Sequence, residues 1–290
     1  MPSFDEGPCL GPRLDVARVG VLRWGPEGTW GLPAGGLRRP DRVESGPLPF
    51  QIEAVGRSDV GKVRRRNEDQ MAVDASQGIV VVADGMGGAP AGDVASSVAV
   101  KEVADALRVG RVMEEAIQSA NRAILDRVKS DPTMAGMGTT LTALKILADS
   151  GRFVVGHVGD SRAYLLTKKG FSQISRDHTM VRDMVDAGKI SAREEREHPL
   201  GHILSRALGT EARVEVDVLE GELADGDCFL LCSDGLAKVM TEEEVEVWVH
   251  RALDEPLQTV VDSVLEEANL RGAPDNVTVA FVRVQGAPGS

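Results

Sequence analysis

Four short apolar runs of this 290-residue chain each meet an aspartate, and this pattern constrains the fold and its chemistry more than any other feature. The runs are residues 79–83 before Asp84, 153–159 before Asp160, 229–232 shortly before Asp234, and 277–281 shortly after Asp275. Short runs rich in β-branched and apolar residues are typical of buried strands. A carboxylate at the end of such a strand is costly unless a positive charge meets it. If the four ends converge, their oxygens predict a site for a hard divalent cation.

Composition and charge narrow the classes of protein to which this chain can belong. The formal net charge of −12 argues against nucleic acid as a partner, because phosphates demand a basic surface. No apolar run approaches the length of a membrane span, and no signal peptide is visible, so we expect no membrane partner. Cys9, Cys228 and Cys232 lack metal-site spacing and predict a reducing cytoplasm rather than a disulfide framework. Cys228 and Cys232 are expected to be small buried residues on one face of a strand.

Residues 1–49 differ from the rest of the chain. They hold eight of the 14 prolines, nine of the 32 glycines and two of the three tryptophans, Trp24 and Trp30. No helical or alternating period survives there, which predicts a poorly ordered N-terminal extension. Two alternatives are that the tryptophans dock on the body or bind a partner. A single domain is expected over residues 50–286.

The pattern after residue 50 predicts strands in runs, interrupted by pairs of helices. Helices are expected over residues 92–107, 111–129, 241–251, and from Pro256 to near Gly272; Thr241 and Glu244 form a capping box. Strands are expected over 51–57, 79–83, 139–147, 152–158, 162–166, 214–219, 228–232 and 277–284, with 139–166 as a meander. A charged helical excursion is expected over 176–206. This layout predicts an α+β fold of mostly antiparallel sheets covered by helices.

The acids stand in short motifs whose joint order is more specific than any one of them. An Asp-Gly pair alone is usually a turn. Here the series runs RRRNED (64–69), DGMGG (84–88), GTT (138–140), GDSR (159–162), SDG (233–235) and GAPDN (272–276). From about residue 52 to 284 the chain resembles the protein phosphatase 2C family of metal-dependent serine/threonine phosphatases, and its bacterial branch more closely. The resemblance implies a four-layer α/β/β/α sandwich of two mostly antiparallel sheets flanked by helix pairs.

The resemblance also implies which residues hold the metal ions. Asp84 would bridge two Mn²⁺ or Mg²⁺ ions, and the carbonyl of Gly85 would bind one of them. Asp234 and Asp275 would hold the other ion. Because all these ligands are oxygens, the set suits Mg²⁺ and Mn²⁺ and disfavours zinc.

Further roles follow from the same resemblance. Glu68 and Asp69 would act mainly through bound waters, and Asp160 would join Asp234 at a third, weaker ion. Arg64 would bind the substrate phosphate, for which its planar fork suits two oxygens. The catalytic set is thus Arg64, Asp84 and Asp234, and residues 176–206 would form a mobile flap.

One position departs from the eukaryotic members of the family, in which a histidine follows the Asp-Gly pair as a candidate acid for the leaving alkoxide. Met86 stands there, as in bacterial members, so the proton must come from metal-bound water or another group. His178 is one alternative, although a histidine in a charged loop is more often structural. His157, within a strand, is expected to be packed and hydrogen-bonded.

Two classes of function are consistent with these motifs. The first is a phosphatase that hydrolyses phosphoserine and phosphothreonine in proteins and reverses Ser/Thr kinases, with phosphoproteins and kinases as partners. The second is a non-catalytic binding or scaffold domain with the same fold, which loss of Asp84, Asp234 or Asp275 would favour. All three are present. A cytoplasmic monomer is the expected state.

Overall fold

Two antiparallel sheets and the helices that cover them make up the part of the chain that the computed structural model describes, residues 19–22, 50–86 and 91–286. The strands are β1 (Val19–Leu22), β2 (Phe50–Asp59), β3 (Asp69–Asp74), β4 (Ile79–Met86), β5 (Gly138–Thr139), β6 (Leu141–Leu147), β7 (Arg152–Val158), β8 (Arg162–Thr167), β9 (Gly170–Gln173), β10 (Asp217–Glu222), β11 (Cys228–Cys232) and β12 (Val277–Gly286). The helices are α1 (Gly92–Arg108), α2 (Met113–Ser130), α3 (Met180–Asp186), α4 (Ala192–Glu197), α5 (Asp234–Ala237), α6 (Glu242–Asp254) and α7 (Leu257–Leu270).

The strands form one sheet of seven and one of five. The first sheet has the order β1-β10-β7-β6-β4-β3, with β5 beside β4, and the second has the order β2-β12-β11-β8-β9. Each of these pairings is antiparallel. The sheets stack face to face, and the rings of Phe153 and Phe229 meet edge to face between them with centroids 4.9 Å apart.

Alternation along β4 shows why the central strands of the first sheet are apolar on both faces. Val80 and Val82 pack between the two sheets. Ile79, Val81 and Ala83 point the other way and pack against α1 and α2. Since successive side chains of a strand point to opposite faces, a strand with a layer on each side is apolar on both faces along its covered length.

The second sheet repeats this arrangement. In β11, Phe229 and Leu231 face the first sheet, whereas Cys228, Leu230 and Cys232 face α6 and α7. Both cysteines are fully buried free thiols, which confirms the prediction for them. The order of layers is therefore helices, sheet, sheet, helices, and the predicted sandwich is confirmed.

The predicted helices form close to their expected bounds. Thr241 and Glu244 make the capping box that begins α6, each bonding the other's backbone N–H. The helix expected over 111–129 forms as α2, which begins at Met113, so Val112 lies outside it and is exposed. The charged excursion contains two short helices, α3 and α4.

Several strand predictions need correction. Residues 139–166 are not one meander, because β8 leaves the sheet of β6 and β7 and joins the other sheet. The chain makes this crossing through Gly159, whose φ of +108° allows an abrupt change of direction. The strand expected over 214–219 forms three residues later as β10. Strands β3 and β9 and the short helix α5 were not predicted.

The N-terminal extension is described only at β1, which pairs with β10 at the edge of the first sheet. Cys9, Trp24 and Trp30 lie outside the described residues, as do Gly87 and Gly88, so the division at residue 50 stays a prediction. No helix within the described ranges has the length and hydropathy needed to cross a bilayer.

Candidate metal centre

The residues assigned to metal and phosphate converge on one cavity at the ends of the central strands. The cavity has a volume of about 700 Å³. Its lining includes most of the predicted site residues, namely Arg64, Glu68, Asp84, Gly85, Asp160, Asp234 and Asp275. Asp69 lies beneath this lining and is almost fully buried. Carboxylates separated by up to about two hundred residues in sequence therefore share one pocket.

Close backbone packing fixes Asp84 and Gly85 at the end of β4. The Asp84 N–H donates to Thr140 Oγ1 at 2.9 Å, and its carbonyl accepts from the Thr140 N–H and the Thr139 hydroxyl. A Cβ on Gly85 would lie 2.1 Å from the carbonyl oxygen of Gly92. Only glycine permits this approach, which brings the start of α1 against the end of β4 that lines the cavity.

A second close approach sets Asp234 beside Asp275. Asp234 begins α5 directly after β11, and Asp275 precedes β12, the neighbouring strand. A Cβ on Gly235 would lie 1.9 Å from the Asn276 carbonyl oxygen, so the backbones of the two loops touch at this point. The Ser233-Asp234-Gly235 motif thus requires its glycine for packing.

Asn276 is a site residue to which sequence analysis gave no role. Its side-chain Oδ1 accepts from the Glu68 N–H at 2.8 Å, and its Nδ2 donates to the carbonyls of Val60 and Arg66 at 2.9 Å each. These three bonds hold the loop that carries Arg64 and Glu68 against the end of β12. The sequence signal that could have identified Asn276 was its position directly after Asp275 in the GAPDN motif.

Asp69 is held below the cavity by two hydroxyls. Its Oδ2 accepts hydrogen bonds of 2.7 Å from Ser233 and Thr278. Burial raises the pKa of Asp69 to about 6, although the two hydroxyl donors act to lower it. The charge of Asp234 adds to the increase.

Burial and mutual repulsion also act on the carboxyls that line the cavity. Burial raises the pKa of Asp84 well above its ordinary value, and the charges of Asp69, Asp234 and Asp160 raise it further. Burial likewise raises the pKa of Asp160 to about 7, with Asp234 and Asp177 as the charged neighbours. The pocket is therefore short of positive charge.

Arg64 and Lys238 supply part of that charge. Arg64 donates to both oxygens of Asp275 at 2.8 Å. The Lys238 ammonium lies 2.5 Å from Asp234 Oδ2 and 2.7 Å from Asp275 Oδ2. Burial acts to raise the pKa of Asp275, but the hydrogen bond and charge of Lys238 hold it below its ordinary value. Sequence analysis gave Lys238 no role.

The donor set fits hard divalent cations. Two buried carboxylate oxygens, Asp69 Oδ1 and Asp234 Oδ1, lack a hydrogen-bond partner within the described part of the chain, which is costly unless a cation meets them. The predicted ligands are all oxygens, as Mg²⁺ and Mn²⁺ prefer. Across the described ranges, no three acidic, histidine or cysteine side chains are arranged to hold a single ion. Asp234 and Asp275 are instead engaged by Lys238 and Arg64, so cation binding requires these ion pairs to open.

Two buried histidines at the base of the flap, His157 and His178, have structural roles. His178 is fully buried, accepts the Gly159 N–H on Nδ1 at 3.1 Å, and places Nε2 3.2 Å from Asp217. His157 is also fully buried and stacks near His178, with ring centroids 4.8 Å apart. Burial lowers the pKa of His157 to about 4. His178 does not line the cavity, whereas His202 of the flap does, and sequence analysis did not single it out.

Comparison with known proteins agrees with this fold and pocket. A family model described as protein phosphatase 2C matches residues 61–271. A serine/threonine phosphatase, stp, of Listeria innocua is 39% identical over 246 residues, covering 80% of this chain and 95% of that protein. PstP of Mycobacterium tuberculosis is 40% identical over 240 residues, covering 80% of this chain and 45% of that protein.

Solved structures give the same result. The crystal structure of the Mycobacterium tuberculosis phosphatase PstP superposes with a TM-score of 0.72 at 34% identity, covering 81% of this chain and 99% of that one. The PstP catalytic domain in complex with two manganese ions has a TM-score of 0.70 at 34% identity and the same coverage. The fold and the acidic pocket define a metal-dependent hydrolase. The chain belongs to the protein phosphatase 2C family.

Proposed function

We propose that this protein hydrolyses phosphoserine and phosphothreonine in other proteins, with two Mn²⁺ or Mg²⁺ ions as cofactors. The observation that carries the proposal is the convergence of Asp84, Asp234 and Asp275 on one cavity beside an arginine. The relatives named above are Ser/Thr phosphatases, and one of them binds two manganese ions. The scaffold alternative has no such observation in its favour.

The proposed ligand assignment follows the chemistry of the pocket. Asp84 would bridge both ions, with the Gly85 carbonyl on one and Asp234 and Asp275 on the other. Glu68 and Asp69 would act mainly through bound waters. When bound, the ions neutralise the phosphate and make a water acidic enough to attack it at neutral pH. That chemistry is needed because a phosphate monoester dianion repels a nucleophile.

Asp160 is proposed as a ligand of a third, weaker ion, together with Asp234. Its pKa, raised to about 7 by burial and by Asp234, indicates that a cation near its carboxylate would be strongly favoured. The site faces the base of the flap, since Asp160 also lines the groove that continues from the cavity under α3.

The chain's own residues bind and orient the substrate. Arg64 is half exposed at the mouth of the cavity, so its guanidinium can leave Asp275 and bind two phosphate oxygens. The backbone of Asp84 is fixed by its bonds to Thr139 and Thr140, so the main chain that carries this carboxylate keeps its position while substrate enters. Met86 lines the cavity and offers no proton to the leaving alkoxide.

The cellular role is a further part of the proposal. Phosphoproteins are the proposed substrates, and reversal of Ser/Thr kinases in signal transduction is the proposed purpose. A monomer in the cytoplasm is the proposed state.

Hydrolysis of a phosphothreonine peptide tests this function. We expect turnover with Mn²⁺ that EDTA abolishes and that Asp234→Ala reduces by a factor on the order of 100 or more, because even outer partners of metal ligands contribute that much. Asp149→Ala, an exposed acid in the turn after β6, is the matched control and is expected to keep full activity. Absence of turnover with any divalent metal would favour the scaffold.

A further inference from the structure

Lys238 forms the most unusual contact in the cavity, because its ammonium lies between two carboxylates that are both predicted to bind the same ion. The Nζ atom lies 2.5 Å from Asp234 Oδ2 and 2.7 Å from Asp275 Oδ2. These distances are those of strong, charge-assisted hydrogen bonds. One positive charge thus joins acids from two different chain segments.

The backbone places Lys238 there. The Lys238 N–H bonds the Asp234 carbonyl at 3.0 Å, so the two side chains lie one helical turn apart on the same side of α5. The contact between Gly235 and Asn276 then brings Asp275 to the other side of the ammonium.

The bridge and a bound cation compete for the same oxygens. An ammonium and a divalent ion at the same two oxygens, Asp234 Oδ2 and Asp275 Oδ2, repel each other, so the presence of one disfavours the other. Asp234 Oδ1 is buried and lacks a hydrogen-bond partner among the described residues, so the lysine satisfies only one oxygen of that ligand. The single charge of Lys238 therefore offsets the repulsion between the two carboxylates, but it leaves Asp234 Oδ1 without a partner among the described residues.

The lysine also has room to leave. Its side chain is 37% exposed, and it lines both the cavity and an adjoining groove of about 940 Å³. That groove includes Glu242 at the start of α6, an acid toward which a displaced ammonium can turn. The arginines that line the groove are already paired with carboxylates, for instance Arg162 with Asp177 and Arg182 with Glu195.

We propose that Lys238 is an internal competitor of the divalent ion, a positioning residue that holds Asp234 and Asp275 together and must swing out when the ion binds. This inference rests on the proposed metal-dependent function. It predicts that the protein binds the divalent ion more weakly than it would without Lys238, because the ion must first break the contacts of the lysine with Asp234 and Asp275. The same contact stabilises the fold when little divalent metal is present.

Titration calorimetry with Mn²⁺ tests the proposal on the full chain. Lys238→Met, which keeps the length and removes the charge, is expected to bind Mn²⁺ about tenfold more tightly, equal to roughly 1.4 kcal/mol. Lys238→Arg keeps the charge and is expected to bind within a few-fold of the parent. The matched control is Lys101→Met, which removes another Lys–Asp pair four residues apart, on α1 and far from the cavity, and should leave Mn²⁺ binding unchanged.

Thermal unfolding in EDTA gives a second readout without activity. Lys238→Met should unfold at a lower temperature than the parent, and saturating Mn²⁺ should remove that difference. Unchanged or weaker Mn²⁺ binding by Lys238→Met would overturn the proposal, even if all variants hydrolyse phosphopeptide. Tighter Mn²⁺ binding by Lys238→Met, with no phosphopeptide hydrolysis by the parent, would support the competition and reject the proposed function. If no variant binds Mn²⁺, both are rejected.

Discussion

Asp275 shows how a single residue of this pocket is balanced between opposing effects. Burial acts to raise its pKa, while hydrogen bonds from Lys238 and Arg64 stabilise the charged form. Asp84 and Asp160 have no such partners among the described residues, and their pKa values are raised by burial and by neighbouring acids. The two cationic side chains that contact these acids, Arg64 and Lys238, therefore lie on one side of the cluster, and the other side requires charge from outside.

Arg64→Ala tests the phosphate contact. Because each charge-assisted hydrogen bond contributes about 1.5–3 kcal/mol, the KM for a phosphopeptide should rise about tenfold or more. Mn²⁺ binding should persist, since the proposed ligands are retained. The control is Arg57→Ala, which breaks an exposed ion pair between Arg57 on β2 and Asp262 on α7. An unchanged KM would mean that another residue holds the phosphate.

Asp160→Asn tests the electrostatic strain of the pocket. The pKa of Asp160 is raised to about 7 in the fold, above its ordinary value of about 3.8. A raised acid pKa means that the protonated form stabilises the fold below about pH 4 and that this contribution is lost as pH rises to about 7. In EDTA, Asp160→Asn should therefore be more stable than the parent at pH 8, on the order of 2 kcal/mol.

Urea unfolding at several pH values measures this difference. The gap between Asp160→Asn and the parent should narrow steadily as pH falls from 7 to 4. A gap that does not depend on pH would show that Asp160 is not strained by its neighbours.

The sequence predicted the acidic residues of the site but not the side chains that contact and position them. Asp84, Asp160, Asp234 and Asp275 each adjoin a buried strand, which is a local signal. Lys238 and Asn276 act through contacts with residues far away in sequence, such as Asn276 with Glu68. Nothing in the local pattern distinguishes such a lysine from one on an exposed helix.

The flap, defined as residues 176–206, is the element whose attachment matters most for the site. Its two ends meet as a short antiparallel bridge between Thr179 and Leu204, and the His178 backbone bonds the carbonyl of Gly159 and the N–H of Ser205. The His178 side chain adds a bond to the Gly159 N–H. Since Gly159 precedes Asp160, the base of the flap is tied directly to the proposed third metal ligand.

His178→Ala is expected to loosen the flap and destabilise the fold by about 2–4 kcal/mol, because a buried hydrogen-bonded ring is replaced by a small side chain. Urea unfolding measures the loss, and amide hydrogen exchange over residues 179–206 should accelerate. His198→Ala, on the flap itself but only partly buried, should change stability by less than about 0.5 kcal/mol. Equal stability of the two variants would show that His178 does not anchor the flap.

Prediction of elements succeeded where burial makes the pattern strong. Strand β11 is apolar throughout and β7 is mostly apolar, and both were placed at their observed bounds because layers cover both of their faces. β3 was missed because it is an edge strand whose residues are mostly half-buried and show no clear alternation. The predicted meander was wrong because a tight link after β7 allows the next strand either to pair with β7 or to cross to the other sheet. Packing between the two sheets decides which of these happens, and the local sequence does not show it.

The whole molecule is a sandwich in which every proposed site residue comes from residues 64–275, while β1 of the extension only covers an edge. β1 pairs with β10 through residues 19–22, far from the cavity lining. An unpaired sheet edge is a template for association with another chain. The extension is therefore expected to protect the sheet rather than to support catalysis.

Deletion of residues 1–49 should leave Mn²⁺-dependent phosphopeptide hydrolysis close to that of the full chain. It should also increase self-association, because the edge of β10 is uncovered. Light scattering after size-exclusion chromatography measures this, and deletion of residues 1–18, which keeps β1, is the control. Loss of metal-dependent activity in the longer deletion alone would show that the extension contributes to the site.

The central claim is that Asp84, Asp234 and Asp275 hold a pair of cations between the two sheets. Anomalous diffraction at the manganese edge, from crystals grown with Mn²⁺, tests it most directly. We expect two strong peaks in the cavity, both in contact with Asp84 and one in contact with Asp234 and Asp275. Peaks only elsewhere on the protein, or none at saturating Mn²⁺, would contradict it.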